Sequence, residues 1–170
     1  MRLKVNEQKS GVRKLYAVNF LGHSLGVGGK LRLSKQSERK IKEKLKKVTC
    51  RKRGISIEQL IKEVNNVTIG WLNYFKRSEM KSKMRAINIW LKRRIRCFRL
   101  KQCQRAIGIV RYLKQLGVKE QLCWRTALSG KSWWRLSNSS GTNIGMNNAW
   151  FEKLDYYDLE KNYARLYTIT

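Results

Sequence analysis

Residues 51–75 read R-K-R-G-I-S-I-E-Q-L-I-K-E-V-N-N-V-T-I-G-W-L-N-Y-F, a basic turn that leads into a helix with aromatic residues at its end. Gly54 follows three basic residues and suits a turn. Ser56 and Gln59 have the spacing of a capping box, in which two side chains satisfy backbone donors at a helix start. The segment therefore predicts a helix from Ser56 to about Lys76.

The apolar residues of this segment recur at helical spacing and form one stripe. The stripe contains Ile57, Leu60, Ile61, Val64, Leu72 and Phe75. The aromatic residues Trp71, Tyr74 and Phe75 have two interpretations. Core packing is the ordinary one, and stacking of Trp71 or Tyr74 on an unpaired RNA base is the other, since bases stack well on aromatic faces.

The segment resembles the maturase domain of reverse transcriptases encoded by group II introns. The family pattern is R-x-R-G-x-S followed by an amphipathic helix that ends in G-W-x-N-Y-F. The matching residues are Arg51, Arg53, Gly54, Ser56, Gly70, Trp71, Asn73, Tyr74 and Phe75. Members of this family copy RNA into DNA and help their intron RNA to fold and splice. The resemblance implies thumb and maturase helices, with group II intron RNA as the partner.

The charge of the chain independently indicates a polyanionic partner. The 170 residues contain 39 Lys and Arg against 11 Asp and Glu, a formal net charge of +28. Seventeen aromatic residues, six Trp, seven Tyr and four Phe, exclude a disordered basic tail. Nucleic acid screens such charge and gains binding free energy from counterion release. An anionic membrane surface is the weaker alternative, because no apolar run reaches the length of a spanning helix.

The N-terminal 33 residues read as short β-strands. Leu3 and Val5 alternate with charged residues, and residues 15–18 with 20–22 read as a partner strand. The sequences K-V-N-E-Q-K-S and F-L-G-H resemble the closing strands of a reverse-transcriptase palm, with His23 where most members have Phe. Residues 26–30 lack the spacing of a phosphate-binding loop, so we interpret them as a hairpin turn before two further apolar residues.

The rest of the chain predicts a series of helices. They are Ser34 to about Val48, about Lys81 to Gln104, Gln104–Leu116, Lys119–Leu128 and Asn147–Leu154. Trp133 and Trp134 are predicted to lie in a polar loop that resembles the family's K-x-Y/W-W-R element. Asp155 stands where the family has glycine, and the segment after Leu159 reads as a frayed extension. We expect the helices to pack in chain order as one elongated body.

The predicted fold is mainly α, a helical bundle of the thumb and maturase type preceded by a short N-terminal antiparallel β segment. Four regions follow from this prediction. They are a remnant of palm strands (1–33), thumb and maturase-specific helices (34–105), the C-terminal helical part of the maturase region (106–154) and a tail (155–170).

The basic helix from Lys81 is the main predicted RNA contact. Only Glu79 offers a carboxylate between Lys76 and Arg105, so the cations lack partners for i,i+4 ion pairs. Most contacts should go to phosphates, which position a protein without reading sequence. Candidate RNA-binding residues are Arg51, Lys52, Arg53, Lys92, Arg93, Arg94, Arg96, Arg99 and Lys101. Candidates for base stacking are Trp71, Tyr74 and Trp133.

The sequence predicts no catalytic residue, metal site or cofactor. Polymerase chemistry in the resembled family needs a Y-x-D-D box to hold two Mg²⁺ ions, and the nearest pattern, residues 155–158, has the wrong spacing. The cysteines at 50, 97, 103 and 123 form no C-x-x-C pair, and His23 is the only histidine. Reduced thiols and a cytoplasmic (bacterial) or organellar location are expected, and the N-terminus has no signal-peptide pattern.

Three functional hypotheses remain open at this point. The chain is a truncated intron-encoded protein that binds group II intron RNA and assists its splicing without catalysis of its own. Alternatively, it is the thumb of a split RNA-directed DNA polymerase, gripping the template–primer duplex beside a separate fingers–palm polypeptide. In the third hypothesis it is a non-functional relic that binds nucleic acid by charge.

Overall fold

A computed structural model describes residues 19–130 and 132–168, and the strand predictions for residues 3–5 and 15–18 lie outside these ranges. The fold is mainly helical with a short three-stranded antiparallel sheet ahead of the helices. The predicted fold class is therefore confirmed.

The sheet is a meander of strands β1 (Asn19–Phe20), β2 (His23–Leu25) and β3 (Leu31–Leu33). Phe20 pairs with His23, so Leu21 and Gly22 form a two-residue turn in which both have positive φ. The prediction of a strand over residues 20–22 is therefore wrong after Phe20. A 3-10 turn at Val27–Gly29 joins β2 to β3, which confirms the hairpin turn predicted there.

In the described part of the chain the strands are followed by α1 (Lys35–Val48), α2 (Ile57–Phe75), α3 (Lys81–Gln102), α4 (Ala106–Gln115), α5 (Glu120–Leu128), α6 (Trp133–Leu136), α7 (Ser140–Gly145), α8 (Asn148–Lys153) and α9 (Leu159–Thr168). The predicted bounds of α1 to α5 and α8 agree closely with these. The Ser34 and Ser56 hydroxyls each accept a hydrogen bond from the backbone N–H three residues on. The Gln59 side chain instead donates to Glu63 (3.2 Å), so the reciprocal half of the predicted capping box is wrong.

Helix α3 lies at the centre of the core. Its apolar stripe, Met84, Ile87, Leu91, Ile95 and Phe98, is completely buried. Helix α2 buries its own predicted stripe and packs against α1, while α3 packs against α6 and α9. The prediction that the helices pack in chain order is wrong, because the C-terminal helix returns to the middle of the chain.

Helix α9 replaces the frayed extension predicted after Leu159. Leu159 is fully buried, and Tyr163 is 4% exposed. The Tyr163 hydroxyl donates to the Ser78 carbonyl (2.8 Å) and accepts from the Met80 N–H (3.1 Å), which joins α9 to the connection between α2 and α3. Burial of this apolar face holds the helix in place.

The predicted polar loop around Trp133 is also wrong, because it contains α6 and α7. Its serines act in turns and caps rather than in an open loop. Ser132 accepts from the Arg135 N–H (3.2 Å), and the Ser139 hydroxyl donates to the Leu136 carbonyl (2.9 Å). Buried Leu136 anchors the segment to the core.

Helix α8 ends two residues before a residue in the left-handed conformation. Asp155 has φ of 55°, and the Tyr156 N–H after it donates to the Phe151 carbonyl (3.1 Å). This arrangement normally uses glycine, and aspartate is among the few other residues that tolerate it. The position explains why a glycine is expected there and why Asp155 still fits.

Candidate nucleic-acid interface

Most candidate cations on α3 have partners inside the protein. The Lys92 ammonium donates to Asp158 (2.6 Å) and Asn148 (3.1 Å), and its side chain is only 14% exposed. The ammonium also lies near the Phe151 and Tyr156 rings. Lys92 and Asp158 thus form a partly buried ion pair that joins α3 to the C-terminal helices.

Arg94 closes the C-terminal end of α1. Its guanidinium donates to the Thr49 hydroxyl (2.6 Å), the Thr49 carbonyl (3.2 Å) and the Lys46 carbonyl (3.2 Å). These carbonyl groups lie where a helix leaves acceptors unsatisfied. Arg94 therefore joins α3 to α1.

Three other arginines of α3 combine ring contacts with hydrogen bonds. Arg93 lies 4.1 Å from the Trp134 ring centroid and donates to that residue's carbonyl (2.9 Å). Arg96 donates to the Met146 carbonyl (2.9 Å) and the Asn143 side chain (2.6 Å). Arg99 lies 4.1 Å from the Tyr112 ring centroid. Each of them holds a neighbouring element against α3.

The directions of three pKa shifts agree with these partly buried contacts. Burial lowers the pKa of Arg94 and of Arg96. Burial also works to raise the pKa of the Asp158 carboxyl, but hydrogen bonds from Lys92, the Lys161 N–H and Asn88 outweigh it, so this pKa lies below its ordinary value. Asp158 is thus held as a carboxylate by the cation of α3.

The basic turn after α1 divides its three cations between two roles. Arg53 forms a two-pronged ion pair with Glu63 (2.6 and 2.9 Å) and donates to the Val48 carbonyl (2.8 Å). The hydrogen bond from Arg53 lowers the pKa of Glu63. Arg51 and Lys52 are exposed to solvent, and the Arg51 guanidinium also donates to the Cys97 sulfur (3.7 Å). Two of the three cations thus face outward.

Helix α1 presents the most open basic surface of the matched helices. Its exposed cations are Lys35, Arg39, Lys40, Lys44, Lys46 and Lys47. Among the residues that the structure describes, only Arg39 of this set has a carboxylate within ion-pair distance, namely Glu43 (3.0 Å). The remaining ammonium groups are available to an external anion, and with Arg51 and Lys52 they form what we term the outer basic face.

The aromatic candidates of α2 lie beside this face. Phe75 is buried, as the core interpretation requires, but Tyr74 is 56% exposed, so that interpretation is wrong for Tyr74. Trp71 is half-buried and packs on Phe75 with ring centroids 5.2 Å apart. A groove of about 360 Å³ runs along these rings, with Lys40 and Lys44 on its opposite wall.

The tryptophan pair of α6 is arranged differently. Trp133 is half-buried against the core, whereas Trp134 is 37% exposed and carries the Arg93 guanidinium on its ring. The base-stacking role assigned to Trp133 stays a prediction, and Trp134 is the more accessible ring.

A larger depression of about 1150 Å³ lies between β3 and the start of α3. Carboxylates lie within ion-pair distance of three of its five cations, whereas Lys35 and Lys81 have none in the described part of the chain. Arg32 pairs with Glu79 (3.7 Å), Lys83 with Glu38 (3.5 Å), and Arg85 lies 4.0 Å from Glu160. The depression is therefore a weaker anion site than the smaller groove beside α1.

Other kinds of site find little support in the described residues. No group of three or more His, Cys, Asp or Glu side chains within residues 19–130 and 132–168 is placed to hold a metal ion. The His23 ring shares a hydrogen bond with the Ser78 hydroxyl (2.7 Å) and packs on Phe75, and all four cysteines are free thiols. No helix in the described ranges is both long and apolar enough to cross a membrane.

The structure therefore separates the candidates that the sequence grouped together. Lys92, Arg93, Arg94 and Arg96 make contacts within the protein, as does Arg53. Arg51 is exposed but also donates to Cys97, and Lys52 faces solvent. Lys40 and Lys44 were not candidates, although their i,i+4 spacing on a capped helix already predicts that they share one face. Direct roles in RNA binding stay predictions for the whole set, Arg99 and the half-buried Lys101 included.

Comparison with known families agrees with the motif of residues 51–75. Residues 38–115 match the family described as group II intron, maturase-specific domain. No curated protein matches the chain significantly. The match contains α2, α3, α4 and all of α1 except its first three residues, and it confirms the recognition made from the sequence. It supports a maturase role in intron splicing and implies intron RNA as the partner.

Proposed function

We propose that this chain, which carries a group II intron maturase-specific domain over residues 38–115, binds folded intron RNA and stabilises the form that splices. The chain contributes no chemistry of its own in this proposal. The intron RNA carries out the phosphodiester exchange, and the protein lowers the free energy of the folded RNA by binding it preferentially.

The observation that carries the proposal is the outer basic face, which lies within the matched segment except for Lys35. Its lysines extend from solvent-exposed positions of one long helix, and their ammonium groups keep their charge available for phosphates. Lysine binds phosphate as a point charge without reading bases. Such a surface suits a large folded RNA, whose backbones approach one another and create dense negative charge.

The cations of α3 have a different role in this proposal. Lys92, Arg94 and Arg96 hold the helices that surround α3, and through Arg94 they fix the end of α1 that the outer basic face occupies. They support RNA binding by positioning the face.

The direct test is competition between a group II intron RNA and an unrelated structured RNA of equal length. Binding of the purified chain is measured at about 100 mM and about 500 mM salt, since phosphate contacts weaken steeply over this range. A preference for the intron RNA that survives at high salt is the expected result. Equal affinity for both RNAs at matched salt would overturn the proposal and favour a relic that binds by charge.

A second candidate function is favoured by the exposed β1–β2 turn. Phe20 and Leu21 are 67% and 66% exposed, and neighbouring apolar side chains of this kind mark surfaces that bind a partner. The partner would be a separate fingers–palm polypeptide that carries the metal-binding carboxylates, with this chain gripping the template–primer duplex. Co-expression with such a fragment should then give a stable complex with polymerase activity, and failure to co-purify would reject this candidate.

A further inference from the structure

We infer that the groove between α1 and α2 binds one unpaired nucleotide of RNA. The base lies against Trp71 and Tyr74, and the flanking phosphates lie against Lys40 and Lys44. This inference rests on the proposed function and adds to it the class of RNA element that the groove recognises.

The two walls of the groove have complementary chemistry. Lys40 and Lys44 lie one turn apart on α1, and the facing side of α2 contributes the two rings. No carboxylate lines the groove, and neither ammonium has a carboxylate within ion-pair distance in the described part of the chain. The volume of about 360 Å³ is in the range of small-ligand sites. An anionic ligand with a flat aromatic part fits both walls at once.

The rings are held in place before any ligand arrives. The Tyr74 hydroxyl donates to the Leu21 carbonyl (3.1 Å), and its ring stacks on His23 with centroids 5.8 Å apart and planes 26° apart. Trp71 packs on Phe75. Because these contacts fix both rings while 56% of Tyr74 stays exposed, a base that stacks there orders little additional protein.

Gly70 supplies an independent observation. It lies in the interior of α2 and lines the groove beside Trp71. A Cβ added at this position would meet no atom within 4 Å, and its φ is not in the left-handed region, so neither packing nor backbone geometry requires glycine. Glycine destabilises a helix interior relative to alanine. Its absent side chain leaves room for a ligand to approach the helix backbone closely.

The combination favours an unpaired nucleotide over a duplex. Aromatic faces with nearby cations are the means by which proteins hold single strands. In a duplex the faces of the bases are already stacked on their neighbours, and the groove could then receive phosphates only. A nucleotide in a loop or bulge of a folded RNA can place its base in the groove.

The first test fills the groove without removing any contact. The probe is a single-stranded RNA of about eight nucleotides with a central 2-aminopurine, whose fluorescence falls when it stacks. Gly70→Gln should weaken binding about tenfold and abolish the quenching. The same change should raise the Tm by about 2 °C, because glutamine is a better helix former. Asn73→Gln, an exposed residue of α2 outside the groove, should bind and quench as the unmodified chain does.

The second test uses two matched pairs of charge removals on α1. Lys40→Gln with Lys44→Gln should abolish quenching, whereas Lys46→Gln with Lys47→Gln should keep quenching at saturation and lose only salt-dependent affinity. These two double variants test the groove even if Gly70→Gln also loses stability. Equal behaviour of the two pairs, or unchanged quenching in Gly70→Gln, would overturn the groove.

Competition with intron RNA separates this inference from the proposed function. If the chain prefers intron RNA but never quenches the probe, the inference about the groove is wrong and the proposed function stands. If the chain shows no preference for intron RNA, the proposed function is wrong.

Discussion

Helices α1 and α3 are both strongly basic, yet the protein uses their cations in opposite ways. On α1 the lysines face solvent, and only Arg39 and Lys42 pair with acids of the same helix. On α3 most of the cations of its C-terminal half are bound to carbonyls, to one carboxylate or to aromatic faces. The number of charges along a helix therefore does not show which are available to a ligand. The position of the helix in the core determines which of its cations are available to a ligand.

The strongest test of this difference removes the ammonium of Lys92. Lys92→Met leaves the Asp158 carboxylate, 16% exposed, without its cation, and the free energy of unfolding should fall by about 2–3 kcal/mol. Chemical denaturation measures the change. Lys44→Met on α1 is the matched control and should leave the unfolding free energy within about 0.5 kcal/mol. Equal losses from both variants would remove the distinction between the helices.

Arg94 tests the connection between the two helices. Arg94→Gln removes the hydrogen bonds to Thr49 and Lys46 and should lower the unfolding free energy by about 1.5–2 kcal/mol. Arg39→Gln loses only an exposed pair with Glu43 and should cost less than about 0.5 kcal/mol. Hydrogen exchange at the last turn of α1 should speed up in the first variant. Protected amides there after Arg94→Gln would contradict the assigned role.

Low pH should reduce the contribution of Asp158, the carboxylate partner of Lys92 on α3, to the free energy of unfolding. The pKa of Asp158 lies below its ordinary value in the folded protein, so its contribution to stability is present above the unfolded pKa of about 3.9. That contribution is lost as the pH falls through the lower folded value. The unfolding free energy should therefore drop below about pH 4, and Lys92→Met should show a smaller drop. An identical pH profile in both proteins would show that the ion pair does not set this dependence.

The smallest expected change in stability is on the outer basic face. Lys46→Gln with Lys47→Gln removes two like charges from a protein of net charge +28. Their removal reduces self-repulsion, and the Tm should stay the same or rise by about 1–2 °C. A fall of several degrees, measured by thermal unfolding, would mean that these lysines hold the fold as those of α3 do.

Much of the fold followed from local rules, and the failures share a physical reason. Ser34 and Ser56 marked the starts of α1 and α2, and the apolar stripe of α2 was buried as predicted. The packing of α9 was missed because its near-neutral charge suggested a tail, although Leu159, Tyr163 and Leu166 recur at helical spacing. That spacing was the available signal.

The candidate site was harder to predict than the fold. The sequence does not show which group a basic residue pairs with. The partners of Lys92 and Arg94 lie 66 and 45 residues away along the chain. The groove likewise required α1 and α2 to be placed side by side before Lys40 and Tyr74 could share it. Gly70 belongs to the motif G-W-x-N-Y-F, but the open space beside it could be seen only in the structure.

The most direct measurement compares RNA affinity in two double variants over a range of salt concentrations. One carries Lys46→Gln and Lys47→Gln on α1, the other Arg93→Gln and Arg96→Gln on α3, and both are measured with group II intron RNA below their melting temperatures. We predict that the slope of log affinity against log salt falls by about 1.5 for the α1 pair and stays unchanged for the α3 pair, whose loss is in Tm. A reduced slope for a fully folded α3 variant, with the α1 variant binding normally, would contradict the account.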